Sequence, residues 1–197
     1  MSSRKLLLTD ILDLRAYERE RETLRNSVIA IKSRRRVALG PVVTVMFENR
    51  LTVQSQIQEM LRAEKVTSDA GVVEELTAYN PLIPEPGQLC ATLFVELTND
   101  EEMREWLPKL VGIEKAIVFT LGDGSQVRSI AEEGHAENLT REDVTAAVHY
   151  VRFEFSDAQV EQFASSAVKI ASDHSAYLQS VELPSLIVTE LLIDLRP

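Results

Sequence analysis

The chain has 197 residues, 45% of them hydrophobic and 26% charged, enough to bury a core within the usual size of one compact domain spanning 1–197. Its apolar runs are broken by charge or proline before the roughly 18–20 residues a bilayer span requires, and MSSRKLLLTDILDL meets an acid before a signal-like core develops. A non-exported, cytoplasmic protein with no membrane segment is expected. A net charge of −10 with 6% aromatic residues argues against nucleic-acid binding, and the single cysteine, Cys90, excludes an internal disulfide and a cysteine-only zinc site.

The charge is divided along the chain. Residues 1–62 carry 12 basic and 7 acidic side chains, a net +5, and residues 63–197 carry 9 and 24, a net −15. Either the basic part packs against the acidic remainder, or some of it faces an anionic partner.

Thr9 is positioned to cap a helix. From about Ala16 a long helix is expected, with Tyr17, Leu24, Val28 and Ile31 as its apolar stripe, ending near Arg34, Arg35 and Arg36, where cations suit the negative end of the helix dipole. The span 1–36 is thus a candidate projecting or oligomerising helix. Gly40-Pro41 turns the chain into a strand with Val43, Val45 and Phe47 on one face. Asn49 or Thr52 can cap the next helix, where Val53, Ile57, Met60, Leu61 and Glu64 define a face buried except at its end, opposite Gln54, Gln58 and Arg62. A short helix over Val72–Tyr79 leads into NPLIPEPG, an ordered loop, and QLCATLFVEL reads as a buried strand.

Asn99 and Glu102 form a capping box before Met103, Trp106, Leu107 and Leu110. The stretch KAIVFTLGDGSQVRSIAEEG reads as a hairpin turned at Gly122-Asp123-Gly124, and Glu132, Glu133 and Glu137 around His135 as an exposed acidic loop. Strand AVHYVRFEF precedes a second capping box, Ser156 and Gln159, whose helix buries Val160, Phe163, Ala164 and Ala167. Pro184 opens a last helix with Val188, Leu191, Leu192 and Leu195 inward. Without regular βαβ alternation, the pattern gives an α+β fold with a mostly antiparallel mixed sheet, a long N-terminal helix and several packed helices.

The densest polar patterning lies in Arg34–Glu64. Glu48, Asn49 and Arg50 sit at a strand-to-helix junction, where free backbone N–H groups and alternating charges suit a polar ligand or fix a turn. Gln56 and Glu59 share one side of the helix, and Glu59 and Arg62 can pair three residues apart. The glutamines 54, 56 and 58 offer uncharged hydrogen bonds of the kind interfaces use. Of the histidines, His149 shares a strand face with Val151, Phe153 and Phe155 as a core residue would. Asp173-His174 with Tyr177 brings a base, an orienting carboxylate and a phenol into one loop. No metal site or cofactor is identified, and Cys90, flanked by Leu89 and Ala91, reads as an inert thiol.

RRRVALGP (34–41), FENRLTVQSQIQEMLRAE (47–64), YNPLIP (79–84), AVHYVRFEF (147–155) and DHSAY (173–177) together resemble an uncharacterised bacterial family, a domain of unknown function of about this length. The resemblance spans nearly the whole chain and brings no catalytic residues. It implies a setting near rubrerythrin-like di-iron proteins and iron–sulfur oxidoreductases, although the chain lacks the ligands for either cofactor. Two functions are expected from these features. One is a non-enzymatic accessory or assembly protein that binds a protein partner, possibly a metalloprotein or redox protein, through Arg34–Arg62. The other is a small-ligand binder or enzyme gathering Glu48, Arg50, Glu59, His149 and His174. A homo-oligomer is compatible with both.

Overall fold

The computed structural model describes residues 4–132 and 144–196. In chain order the elements are α1 (Leu14–Lys32), β1 (Arg36–Leu39), β2 (Val43–Glu48), α2 (Arg50–Glu64), α3 (Asp69–Tyr79), β3 (Gln88–Val95), α4 (Asp100–Lys109), β4 (Ile117–Thr120) and β5 (Gln126–Arg128). There follow β6 (Ile130–Ala131), β7 (Val148–Glu154), α5 (Asp157–Ser165), β8 (Lys169–His174), β9 (Tyr177–Glu182) and α6 (Ser185–Leu195). The fold is α+β.

The strands form two antiparallel sheets, one in the order β1-β2-β3-β7-β6 and the other β5-β4-β8-β9. Period-two alternation sends Val43, Val45 and Phe47 of β2, Leu89, Ala91 and Leu93 of β3, and Val151 and Phe153 of β7 into a core shared with Phe119 of β4 and Ile170 of β8. At its centre Phe119 meets Phe153 edge-on, with ring centroids 4.8 Å apart, and also touches Phe47, Phe155 and Phe163. The chain passes between the sheets at Ser129, which separates β5 from β6. Its N–H donates to Ile117 O at 2.8 Å, and its hydroxyl accepts from Ile117 N at 3.1 Å.

The other face of the five-stranded sheet is covered by α2, so all six residues of β2 are buried. Val53, Ile57 and Leu61 of α2 form a second apolar cluster with Leu6, Leu76, Leu82 and Ile83. The Ser156–Gln159 capping box forms as expected.

Several local expectations are corrected. Thr9 lies in a short 3-10 turn, and α1 is capped instead by Asp13, whose carboxylate accepts from Arg15 N and Ala16 N. Rather than projecting, α1 sinks Tyr17 and Val28 against the body. Arg36 opens β1 where a helix end and turn are expected; β1 and β2 pair across Gly40 at φ 77. At α4 the reciprocal half of the box shifts by one residue, because Glu102 accepts from Thr98 N at 2.8 Å rather than from Asn99 N. Asp173, His174 and Tyr177 belong to the β8–β9 hairpin rather than to a loop.

Candidate interaction site

The arginine triplet is engaged by the chain's own acids. Arg35 is fully buried; its guanidinium donates to Phe47 O at 3.0 Å, Glu48 O at 3.3 Å and Glu190 Oε1 at 3.0 Å, and pairs with Asp194. Burial lowers the pKa of this guanidinium, and Glu190 offsets part of that effect. Arg34 reaches Glu190 at 3.4 Å, while Arg36 pairs with Glu96 and stands 5.7 Å over the Phe94 ring. These arginines bind β1 to α6 and β3, so the basic front of the chain meets its acidic remainder here.

At the strand-to-helix junction the same holds. Asn49 caps α2 through Leu51 N and Thr52 N, and the carboxylate of buried Glu48 accepts from Thr52 Oγ1 at 2.5 Å and Thr92 Oγ1 at 2.6 Å. Arg50 pairs with Asp10 at 2.7 Å. The glutamines serve an interface within the molecule. Gln54 donates to Asp10 O at 2.6 Å, and Gln58, buried rather than outward-facing, clamps Leu12 by accepting from Leu12 N at 2.7 Å and donating to Leu12 O at 3.1 Å. Gln56 donates to Tyr150 Oη at 3.4 Å.

Glu59 sits between α1 and α2, where it accepts from Tyr17 Oη at 2.6 Å, from Arg21 at 2.7 and 3.0 Å, and from Arg62 at 3.2 Å. Arg21 foremost, against some burial, brings the Glu59 carboxyl down to about 2, whereas burial and the adjacent Glu59 push the Tyr17 phenol up to about 12.

The remaining candidates are dispersed. His149 faces the inter-sheet core, its Nε2 2.9 Å from both Thr145 Oγ1 and Ala146 O, and burial lowers its pKa while Glu114 acts in the opposite sense. Glu114, itself buried, keeps one carboxylate oxygen without a hydrogen bond. Asp173 forms a two-pronged pair with exposed Arg128, at 2.9 and 2.5 Å. His174 Nε2 lies 3.0 Å from Val111 O, and the Tyr177 hydroxyl donates to Leu39 O at 2.7 Å and accepts from Val42 N and Val43 N. Asp173, His174 and Tyr177 thus engage different parts of the molecule, and Glu48 and His149 lie on opposite faces of one sheet. Burial pushes the Cys90 thiol up to about 12. His135 lies outside the described residues, as does the acidic stretch from Glu133 to Glu137. Among the described residues no three His, Cys, Asp or Glu side chains converge on a possible metal position, and no helix is long and apolar enough to cross a membrane.

The site that sequence reasoning missed is apolar. Between the N-terminal segment and the α2–α3 connection runs a groove of about 470 Å³, lined chiefly by Leu8, Ile11, Leu14, Leu61, Val66 and Val72. Its N-terminal wall is held rigidly by amide side chains. Besides the Gln54 and Gln58 bonds, Asn80 accepts from Leu6 N at 2.8 Å and donates to Leu6 O at 3.0 Å. Despite this anchoring, Leu8 of the lining is 38% exposed, while Leu61 at the floor is buried. The groove continues into a notch that shares Leu14 and Arg15 with it and adds Arg19, Arg62, Lys65 and Glu18. The available signal was the Leu6-Leu7-Leu8 triplet, since one short segment cannot turn three adjacent apolar side chains to a single core.

Comparison with known proteins agrees with this architecture. A crystal structure of a protein of unknown function from Burkholderia pseudomallei is 36% identical and superposes with a TM-score of 0.89 over 97% of this chain and 99% of that one. None of the curated proteins compared with the chain matches it. Residues 5–195 match the family described as "Protein of unknown function (DUF3501)". With nearly every described residue inside that match, the chain belongs to the DUF3501 family.

Proposed function

We propose that this chain is a non-enzymatic accessory protein of the cytoplasm that docks a protein partner in the groove between its N-terminal segment and the α2–α3 connection. The observation that carries the reading is the groove itself, a chiefly apolar channel whose wall is clamped in place while Leu8 on its rim stays 38% exposed. An exposed apolar surface is costly in a monomer and typical of an interaction site. The family resemblance adds a metalloprotein or redox protein as the kind of partner. Self-association is compatible with the same surface. The enzyme or small-ligand reading has less support, because Glu48, Arg50, Glu59, His149 and His174 each answer to a different neighbour.

The test is site-specific photocrosslinking in cells that naturally make the protein, with benzoylphenylalanine in place of Leu8 or, as control, Leu186 on α6. A discrete protein adduct at Leu8 and not at Leu186 is the expected outcome. Equal adducts at both positions, or none at Leu8, would refute the docking role of the groove.

A further inference from the structure

We infer that the occupant of the groove is an acidic amphipathic segment of another protein, a helix that lays apolar anchors into the channel and carboxylates against the adjoining notch. The inference rests on the docking function proposed above. The groove offers little to fix a small polar ligand. Its polar lining is limited to Asp13, Arg15, Thr67 and Asp69 apart from backbone, and the Asp13 carboxylate is occupied in capping α1. An open lining of chiefly apolar side chains suits apolar anchors presented at helical spacing.

Charge selects among such helices. The notch beside the groove holds Arg15, Arg19, Arg62 and Lys65 against Glu18, so that even with Asp13 and Asp69 of the groove counted the cations gather on the notch side. Arg62 is shared by Glu59 at 3.2 Å and Glu18 at 4.0 Å, whereas Arg15, Arg19 and Lys65 have no ion pair within 4 Å among the described residues. A positive wall on a chain of net charge −10 is local complementarity, which sets specificity and register more than raw affinity. A second copy of this chain is a weaker fit. Its acidic helix α4 already turns Trp106 and Leu107 onto the chain's own core, so it has no free apolar face to lay into the groove.

The test uses labelled synthetic helices of about 16 residues with leucines at i, i+3, i+4 and i+7 and either Glu or Lys elsewhere, titrated into the full chain by fluorescence anisotropy. A third peptide carries Ser at the leucine positions. The Glu helix should bind at least about ten-fold tighter than the Lys helix, and the Ser peptide should lose most of the affinity. The Arg19→Glu/Lys65→Glu variant should reverse the preference, with methyl NMR shifts at Leu8, Val66 and Val72 locating the bound peptide in the groove. The two exposed charges are chosen because their exchange leaves the core intact, which circular dichroism verifies. If Leu8 captures a partner in cells but the Glu and Lys helices bind alike, the acidic occupant is refuted and the docking function stands. Loss of both capture and peptide binding would refute both. Concentration-dependent dimerisation by sedimentation that Arg19→Glu/Lys65→Glu abolishes would make the occupant a second copy and overturn the assignment.

Discussion

Replacing Arg35 by Met should be the most damaging single exchange among the charged residues. Methionine fills much of the same volume but removes the donors that meet Phe47 O, Glu48 O, Glu190 and Asp194. Asp194 is only 8% exposed, so its charge is left in the interior without compensation. Breaking a buried pair from one side costs about 3–5 kcal/mol. For a chain of this size each 1 kcal/mol lowers Tm by roughly 2–4 °C, so a fall of roughly 6–20 °C is expected. The neighbouring Arg34 and Arg36 side chains are 45% and 50% exposed, and their exchange to Met should cost less than about 1 kcal/mol. Urea unfolding followed by circular dichroism measures all three, with unchanged m-values as the condition for reading midpoints as stability. Adding Asp194→Leu to Arg35→Met should restore part of the loss, since both ends of the pair are then apolar. An Arg35→Met protein within about 1 kcal/mol of wild type would refute the argument that the buried guanidinium holds β1 to α6.

Tyr177→Phe deletes the hydroxyl shared by Leu39 O, Val42 N and Val43 N and should destabilise by about 1–3 kcal/mol, with faster amide exchange confined at first to the β1–β2 turn. Gly40→Ala should cost more than about 1 kcal/mol in urea unfolding, because φ is 77 and the new Cβ would fall 2.6 Å from both Gln179 Cγ and Tyr177 Oη. The Glu59 carboxyl, held at about 2 against an ordinary 4.5, stabilises the fold fully above its unfolded pKa, and that contribution is lost as pH falls from about 5 towards 2. Glu59→Gln should flatten the acid limb of stability against pH over that window; an unchanged limb would contradict the assignment. Gln58→Ala releases Leu12 and should raise hydrogen exchange across residues 6–14 while the sheets stay protected.

Repeating patterns made much of the fold legible. The alternation in Val43–Phe47 and in β3 and β7, the Ser156–Gln159 box and the inward stripe of α6 all reflect local periodicity that the sequence carries directly. Strand β1 was obscured because its four residues follow the helix without a break residue, and cations at 34–36 suit a helix end equally well. The β8–β9 pair was hidden by the polar Ser172-Asp173-His174 stretch, which pairs in register through backbone groups that are the same for every residue type. The polar density of Arg34–Glu64 was visible, but its meaning depends on contacts distant in sequence. Glu190 and Asp194 turn the arginines into braces, and Leu12 turns Gln58 into a clamp. Three-dimensional convergence therefore gives most of this stretch partners within the molecule, and the groove appears only where two remote segments meet.

The Arg35 brace also orders events during synthesis. Its counter-charge Asp194 lies 159 residues downstream, and the same last helix supplies Leu191 and Leu195 to the core and the Leu195 carbonyl that receives Gly87 N. While the ribosome is still completing α6, the guanidinium must stay hydrated, so β1 cannot settle into its final burial. Long-range closure of this kind makes completion of the native state a late step that waits on α6. A nascent chain stalled short of α6 would expose both an apolar trough and an unmatched cation, a combination that chaperones and proteases can distinguish from the finished protein.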